Sequence, residues 1–281
     1  MATTTQITAP PRTASPLALW HLLSLDAPTV ATLWTCFIAR ATHTQLSPEL
    51  PIAMFLAVWL LYAADRLLDT RHLDSPIHRR TTELEARHLF HFRHRRVFLA
   101  VMPVAALALA GLLPNLLTAT IHLYLVEGVL LAGWFVLVHT THSRLPKELV
   151  VGLYFAAATF TPTLVRRPQA PTVLLLDAAL FATLCTLNCV FIHFWQDTDS
   201  NKFPSPQYLP LLIRSTCLLA FASLAMLSPF SSIWPIPAAI FVACVLLLAL
   251  HARRHTLSRT HLRAAADLAL LTPILLLPFT R

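Results

Sequence analysis

The sequence predicts an all-α integral membrane protein, a bundle of nine transmembrane helices, and three observations lead there. Composition is the first: 56% of the 281 residues are hydrophobic, only 12% are charged, and the mean hydropathy is +0.64. A soluble domain carries about 25% charged residues, so an ordinary soluble globule is excluded. The second is length, because apolar runs of about 20 residues, enough to cross a bilayer, recur along the chain. The third is where the net charge of +8 lies. Most Arg and Lys fall between apolar runs, which suits orientation in a lipid bilayer and argues against nucleic acid as the partner. The five cysteines, Cys36, Cys185, Cys189, Cys217 and Cys244, all sit inside apolar runs and read as small buried hydrophobes. Nothing in the pattern calls for an obligate protein partner.

Residues 1–16 are rich in Thr and Pro and lack the apolar core of a signal peptide, so a disordered tail is expected there. Residues 17–281 then make one transmembrane helical domain. Its first two helices are expected at Leu17–Ala39 and Pro51–Thr70. Val97–Leu117 and Ala119–His139 follow, divided only by Pro114-Asn115. The fifth and sixth are Lys147–Val165 and Thr172–Trp195; the last three are Leu209–Leu227, Trp234–Arg253 and His261–Thr280. Residues 75–96 are the one long connection. There Leu84, Arg87, His88, Phe90 and His91 suit an amphipathic helix lying as a lid over the cytoplasmic mouth.

Alternate connections share a side. The side of the N-terminus gathers Arg71, Arg79, Arg80, Arg93, Arg95, Arg96, Arg253 and Arg254, among others; the opposite side has only Arg40, Arg166, Arg167 and Arg281. The positive-inside rule then puts the N-terminus in the cytoplasm and the C-terminus outside, which for a bacterial chain means the inner or plasma membrane.

Two acidic stretches end long apolar runs on that cytoplasmic face. LLYAADRLLDTRHLD carries Asp65, Asp69 and Asp74, and FWQDTDSNK carries Asp197 and Asp199, followed by Asn201. Asp65 and Asp69 stand one helical turn apart, about 40° from each other around the axis. Acids at bilayer depth cost about 2.5–3.5 kcal/mol each on insertion scales, so they call for a compensating cation. Such oxygen donors suit Mg²⁺, which keeps positions free for phosphate oxygens. Arg66, Arg71, Arg144, Lys147 and Lys202 would contact a diphosphate directly. A diphosphate head with a hydrocarbon tail fits this setting, and loss of diphosphate leaves an allylic cation that needs a dry, aromatic-lined cavity. Tyr62, Tyr154, Asn188, Phe191 or Ile192, and Trp195 are the expected lining.

At these residues the chain resembles the UbiA-type intramembrane prenyltransferase superfamily, whose members have nine helices around a central cavity and two aspartate-rich motifs. The first family motif is Asn-Asp-x-x-Asp-x-x-x-Asp. Here Ala64-Asp65-Arg66-Leu67-Leu68-Asp69 puts Asp65 at the family's Asn and Arg66 at its first Asp, and Asp74 comes one residue late. The second motif, Asp-x-x-x-Asp, matches Asp197–Asn201 with Asn at the last place and Asp199 as an extra acid. THSRLPKELVVGLYFAAATFTP looks like the stretch leading into the family's fifth helix, which implies diphosphate contacts for Lys147 and Arg144. The resemblance implies Mg²⁺-dependent transfer of a prenyl group from a prenyl diphosphate to a lipophilic acceptor. A terpene cyclase of the same superfamily, acting on the prenyl diphosphate alone, is the alternative, because no acceptor cluster stands out and glycine is scarce. Outside that superfamily stand a metalloprotein built on His88, His91 and His94, and a transporter using Asp26, Glu127, Asp177 and Asp267.

Overall fold

A computed structural model describes residues 16–69, 86–141, 147–169, 171–196, 208–227 and 233–280. All regular secondary structure among them is helical. The first elements are α1 (Pro16–Leu22), α2 (Asp26–Ala41), α3 (Glu49–Asp69), α4 (Ala86–Arg93) and α5 (Arg95–Leu112). Then come α6 (Thr118–Thr141), α7 (Lys147–Arg166), α8 (Pro171–Gln196), α9 (Leu209–Ala225), α10 (Pro235–Ala252), α11 (Arg259–Ala269) and α12 (Pro273–Leu276). Six stretches are long and apolar enough to cross a membrane: Glu49–Leu68, Arg95–Asn115, Lys147–Arg166, Thr172–Trp195, Pro235–Ala252 and His261–Phe279. Thr118–Trp134 and Leu209–Ala225 are shorter apolar helices.

The continuous first helix expected at Leu17–Ala39 is instead broken between α1 and α2, and the last is broken between α11 and α12. Proline explains both breaks. Its ring clashes with the carbonyl four residues back and it offers no N–H. Pro28 therefore disrupts the helix at Ser24, which takes a positive φ of 58°. Pro273 acts on Ala269, the last residue of α11. A break in an apolar setting leaves carbonyls that must find donors. At the first, Ala27 N–H turns to Asp26 Oδ1 at 3.0 Å, and Trp59 Nε1 donates to the Leu23 carbonyl at 3.2 Å. At the second, Ile274 N–H bonds to the Leu271 carbonyl, and Trp34 Nε1 donates to the Leu270 carbonyl at 2.8 Å. An indole from a neighbouring helix caps each break.

A third proline, Pro162 inside α7, frees the Ala158 carbonyl, and Tyr124 of α6 donates its hydroxyl there at 3.0 Å. Helices α5 and α6 are apolar around most of their circumference yet little covered: Leu107 is 74% and Val129 71% exposed. Lipid is the natural solvent for such a surface. The most extensive pairing is α7 on α8, and it is tight at Gly152, which abuts the Ala182 carbonyl and the Thr186 backbone. Small residues permit this approach, and packing rather than water exclusion holds helices together in lipid.

The core lies among α2, α7, α8 and α10, where Trp34, Phe160 and Phe181 are fully buried. The Trp34 and Phe181 rings are 4.1 Å apart between centroids. Within the segment expected as a lid, α4 packs on α1, α3 and α5, its His91 ring stacked on Phe98 at 4.4 Å. Phe90 and His94 line an apolar groove beside α3 and α5. The disordered tail expected at residues 1–16 lies, except for Pro16, outside the described residues.

Candidate functional site

A cavity of about 470 Å³ opens among α2, α3, α7, α8 and α11. Its position follows from chain direction. Lys147 and Glu148 open α7, His193 lies in the last turn of α8, and Tyr62 is near the end of α3. All line the cavity, so the end of α3, the end of α8 and the start of α7 meet at one mouth. Going inward, α7 contributes Val151 and then Phe155, and antiparallel α8 contributes Asn188 and then Cys185. One turn deeper, Phe181 and Trp34 belong to the aromatic core that floors the cavity.

Two His–carboxylate pairs mark the walls. At the mouth, His193 Nδ1 lies 2.8 Å from Glu148 Oε1. Helix dipoles favour both partners, since an acid belongs in a first turn and a cationic group in a last one. Behind the inner wall, His21 Nδ1–H donates to Asp26 Oδ2 at 2.6 Å, with both side chains buried. Asp267 of α11 faces the cavity from 3.9 Å away from the same His21 nitrogen. Asn188 Nδ2 donates to Asp267 Oδ1 at 3.3 Å. Arg66 is buried, its guanidinium 4.9 Å from the centroid of the Tyr62 ring, and acts electrostatically on Asp26; Arg263, one turn before Asp267, acts on Asp267. Two carboxylates and two guanidiniums thus share one buried site. The breaks before Pro28 and Pro273 bring Asp26 and Asp267 together, because α11 packs on both α1 and α2.

Of the residues expected from sequence, Tyr62, Lys147, Asn188 and, of the alternatives Phe191 or Ile192, Ile192 line this cavity. Tyr154, Phe191 and Trp195 lie outside it. Cavity residues Cys185, Asn188, Cys189, Ile192 and His193 define a face of α8 turned away from Phe191, with Trp195 at the flank of that face, seven residues beyond Asn188. Phe191 is buried 5.6 Å from the His251 ring of α10, and Trp195 Nε1 donates to His251 Nδ1 at 3.2 Å. On α7, Lys147, Val151 and Phe155 face the cavity, and Tyr154 falls on the adjoining flank.

Asp65 is exposed on α3 and contributes nothing to the cavity wall, whereas its neighbour Arg66 is buried. Asp69 ends α3, seven residues after Tyr62. The side chain of Asp69 lies outside the described residues, as do Arg71, Asp74, Arg144, Asp197, Asp199, Asn201 and Lys202. Asp197 nonetheless follows directly on Gln196, the last residue of α8. Residues His91 and His94 of the expected metal triad hold separate partners: His91 lies 3.2 Å from the Ser24 hydroxyl, and His94 Nδ1 bonds to the Phe90 carbonyl at 2.9 Å. Sequence reasoning missed the site roles of His21, Glu148, His193 and Arg263. The Asp26-Ala27-Pro28 step was a visible signal for part of this cluster; the Glu148–His193 pair, 45 residues apart, had none.

No protein-family model, curated protein or solved structure matches this chain.

Proposed function

We propose that the protein is an intramembrane enzyme that ionises a prenyl diphosphate and transfers the prenyl group to a lipophilic acceptor. One observation carries the reading: the helix ends that lead into both acidic stretches meet, with Lys147, at the mouth of a single cavity. Its volume of about 470 Å³ falls within the range of about 300–1,000 Å³ typical of small-molecule sites. The ligand set of Asp65, Asp69, Asp74, Asp197, Asp199 and Asn201 is all oxygen, and Asp65, the one with a described side chain, is accessible at the end of α3, which fits Mg²⁺. Bound there, Mg²⁺ would neutralise the departing diphosphate.

The chain's own groups divide the remaining work. Lys147 at the mouth, with Arg71, Arg144 and Lys202, holds the diphosphate by charge-assisted hydrogen bonds, while buried Arg66 stays with the inner carboxylate Asp26. Val151, Phe155 and Ile192 take the hydrocarbon tail and exclude water, and the Tyr62 ring offers its face to positive charge. In the membrane the mouth faces the cytoplasm, with the N-terminus inside and the C-terminus outside, following the excess of Arg and Lys on that face. Cyclisation without an acceptor is the second reading, favoured by an Asp267 carboxylate already in the cavity wall.

The test uses the full chain in lipid nanodiscs with Mg²⁺ and prenyl diphosphates of ten to twenty carbons. Diphosphate release is expected, abolished by Asp69→Ala with folding intact; Lys147→Ala raises the KM for the diphosphate. Release of a terpene hydrocarbon or alcohol without acceptor selects the cyclase. No release at any chain length removes both readings.

A further inference from the structure

We propose that Asp267 is the proton acceptor of this cavity, a catalytic group in addition to the Mg²⁺-binding and diphosphate-binding residues. The proposal rests on the prenyl diphosphate reading for its substrate and on geometry for the residue. Asp267 lines the cavity, with a side chain 16% exposed, whereas Asp26 and His21 behind it are almost wholly buried. It is therefore the member of the three that a substrate in the cavity touches. Asn188 holds one of its oxygens, and the His21–Asp26 pair stands behind the other. Arg66 stands within electrostatic reach of Asp26 and Arg263 within reach of Asp267, so positive charge lies beside both carboxylates at the edge of the apolar chamber.

The same three groups, whose ligand atoms lie within 4.8 Å of one another, invite a metal reading, and two facts weigh against it. Two ligands of one tetrahedral ion at bonds of about 2.1 Å stand about 3.4 Å apart. His21 Nδ1 and Asp26 Oδ2 are closer, at 2.6 Å, as a hydrogen bond requires. The positive charge a metal would bring is already supplied by the two arginines.

The chemistry balances without a further reagent. Diphosphate leaves with the electron pair of the C–O bond and the prenyl group becomes an allylic cation. A C–H bond beside the cationic carbon, in the chain itself or in a newly alkylated acceptor, then breaks. Its electron pair forms a double bond and its proton goes to an Asp267 carboxylate oxygen.

Two measurements test this on the full chain in nanodiscs. The first treats the protein with a hydrophobic carbodiimide, which reacts with carboxyl groups that take up a proton, and locates adducts by mass spectrometry. An adduct on cavity-facing Asp267 and none on fully buried Asp177 is expected; an unmodified Asp267 beside a modified, exposed Asp65 overturns the proposal. The second compares products of wild type and Asp267→Asn, with folding checked by thermal melting. Among the products released, the ratio of deprotonated product to prenyl alcohol is expected to fall about a hundredfold in Asp267→Asn, as loss of a positioned base implies. An unchanged ratio overturns the role of Asp267 and leaves the prenyl diphosphate reading standing. A wild type that is labelled at Asp267 but releases no diphosphate removes that reading and keeps Asp267 as a proton acceptor for another substrate.

Discussion

Adding one methyl group at Gly152 tests whether the cavity wall depends on the close contact of α7 and α8. A Cβ there would stand 2.6 Å from the Ala182 carbonyl oxygen and 2.9 Å from the Thr186 backbone nitrogen, and would overlap the Thr186 hydroxyl. Carbon and oxygen normally approach to about 3.3 Å, so the helices must part by about 0.7 Å. The hydroxyl can rotate away; the two backbone atoms cannot. Overpacking of this kind costs about 1–3 kcal/mol, and backbone contacts place Gly152→Ala at the upper end. Replacing glycine in a helix returns about 1 kcal/mol, leaving a net loss of about 2 kcal/mol. For a chain of this size that lowers Tm by about 4–8 °C. Gly128→Ala is the control, because nothing lies within 4 Å of its added Cβ and only the helix-forming gain remains. Tryptophan fluorescence during heating in detergent reads both. Thr186→Ala added to Gly152→Ala should restore little, since the backbone clash persists. Equal melting of Gly152→Ala and Gly128→Ala, or full rescue by Thr186→Ala, would refute the reasoning.

Two further substitutions probe buried polar groups. Tyr124→Phe removes the donor to the Ala158 carbonyl that Pro162 leaves free, at a cost of about 1–2 kcal/mol. In a Pro162→Ala background the restored amide takes over, so a double-mutant cycle on melting should show coupling of about 1 kcal/mol; additive effects would sever the link. Asp177 is fully buried in α8 and, among the described residues, neither of its oxygens has a hydrogen-bond partner. Asp177→Leu should therefore raise stability by about 2 kcal/mol, read as a rise in Tm, and a fall would show that the carboxylate has a stabilising role.

Much of the helix plan was legible because lipid leaves a backbone few choices. An apolar run of spanning length has to satisfy its own hydrogen bonds, so Thr172–Trp195 was readable and α8 covers Pro171–Gln196. The two breaks were partly legible, since Pro28 and Pro273 are in plain view. What hid them is that prolines inside apolar runs often only kink a helix when neighbours supply the missing donors. Here those donors are Trp59 and Trp34, whose partnership with distant carbonyls leaves no mark on local sequence.

The cavity wall was legible to within one helical position, and that position mattered. Phe191 and Ile192 are equally apolar neighbours, so the pattern of α8 alone does not choose between them. The choice is made across the bundle, where His251 of α10 packs against Phe191 and accepts from Trp195. That contact turns Ile192, Asn188 and Cys185 toward the cavity. The inner polar cluster was still less accessible, because Asp267 meets His21 and Asp26 only after the first and last helices have both been interrupted and packed side by side. In an unbroken first helix, Ala27 N–H would bond to the Leu23 carbonyl and Asp26 Oδ1 would lose that donor; the break therefore helps to hold the acid that anchors His21. Proline 28 thus acts on the site through the backbone, by releasing one amide to one carboxylate behind the wall where the proposed proton transfer takes place.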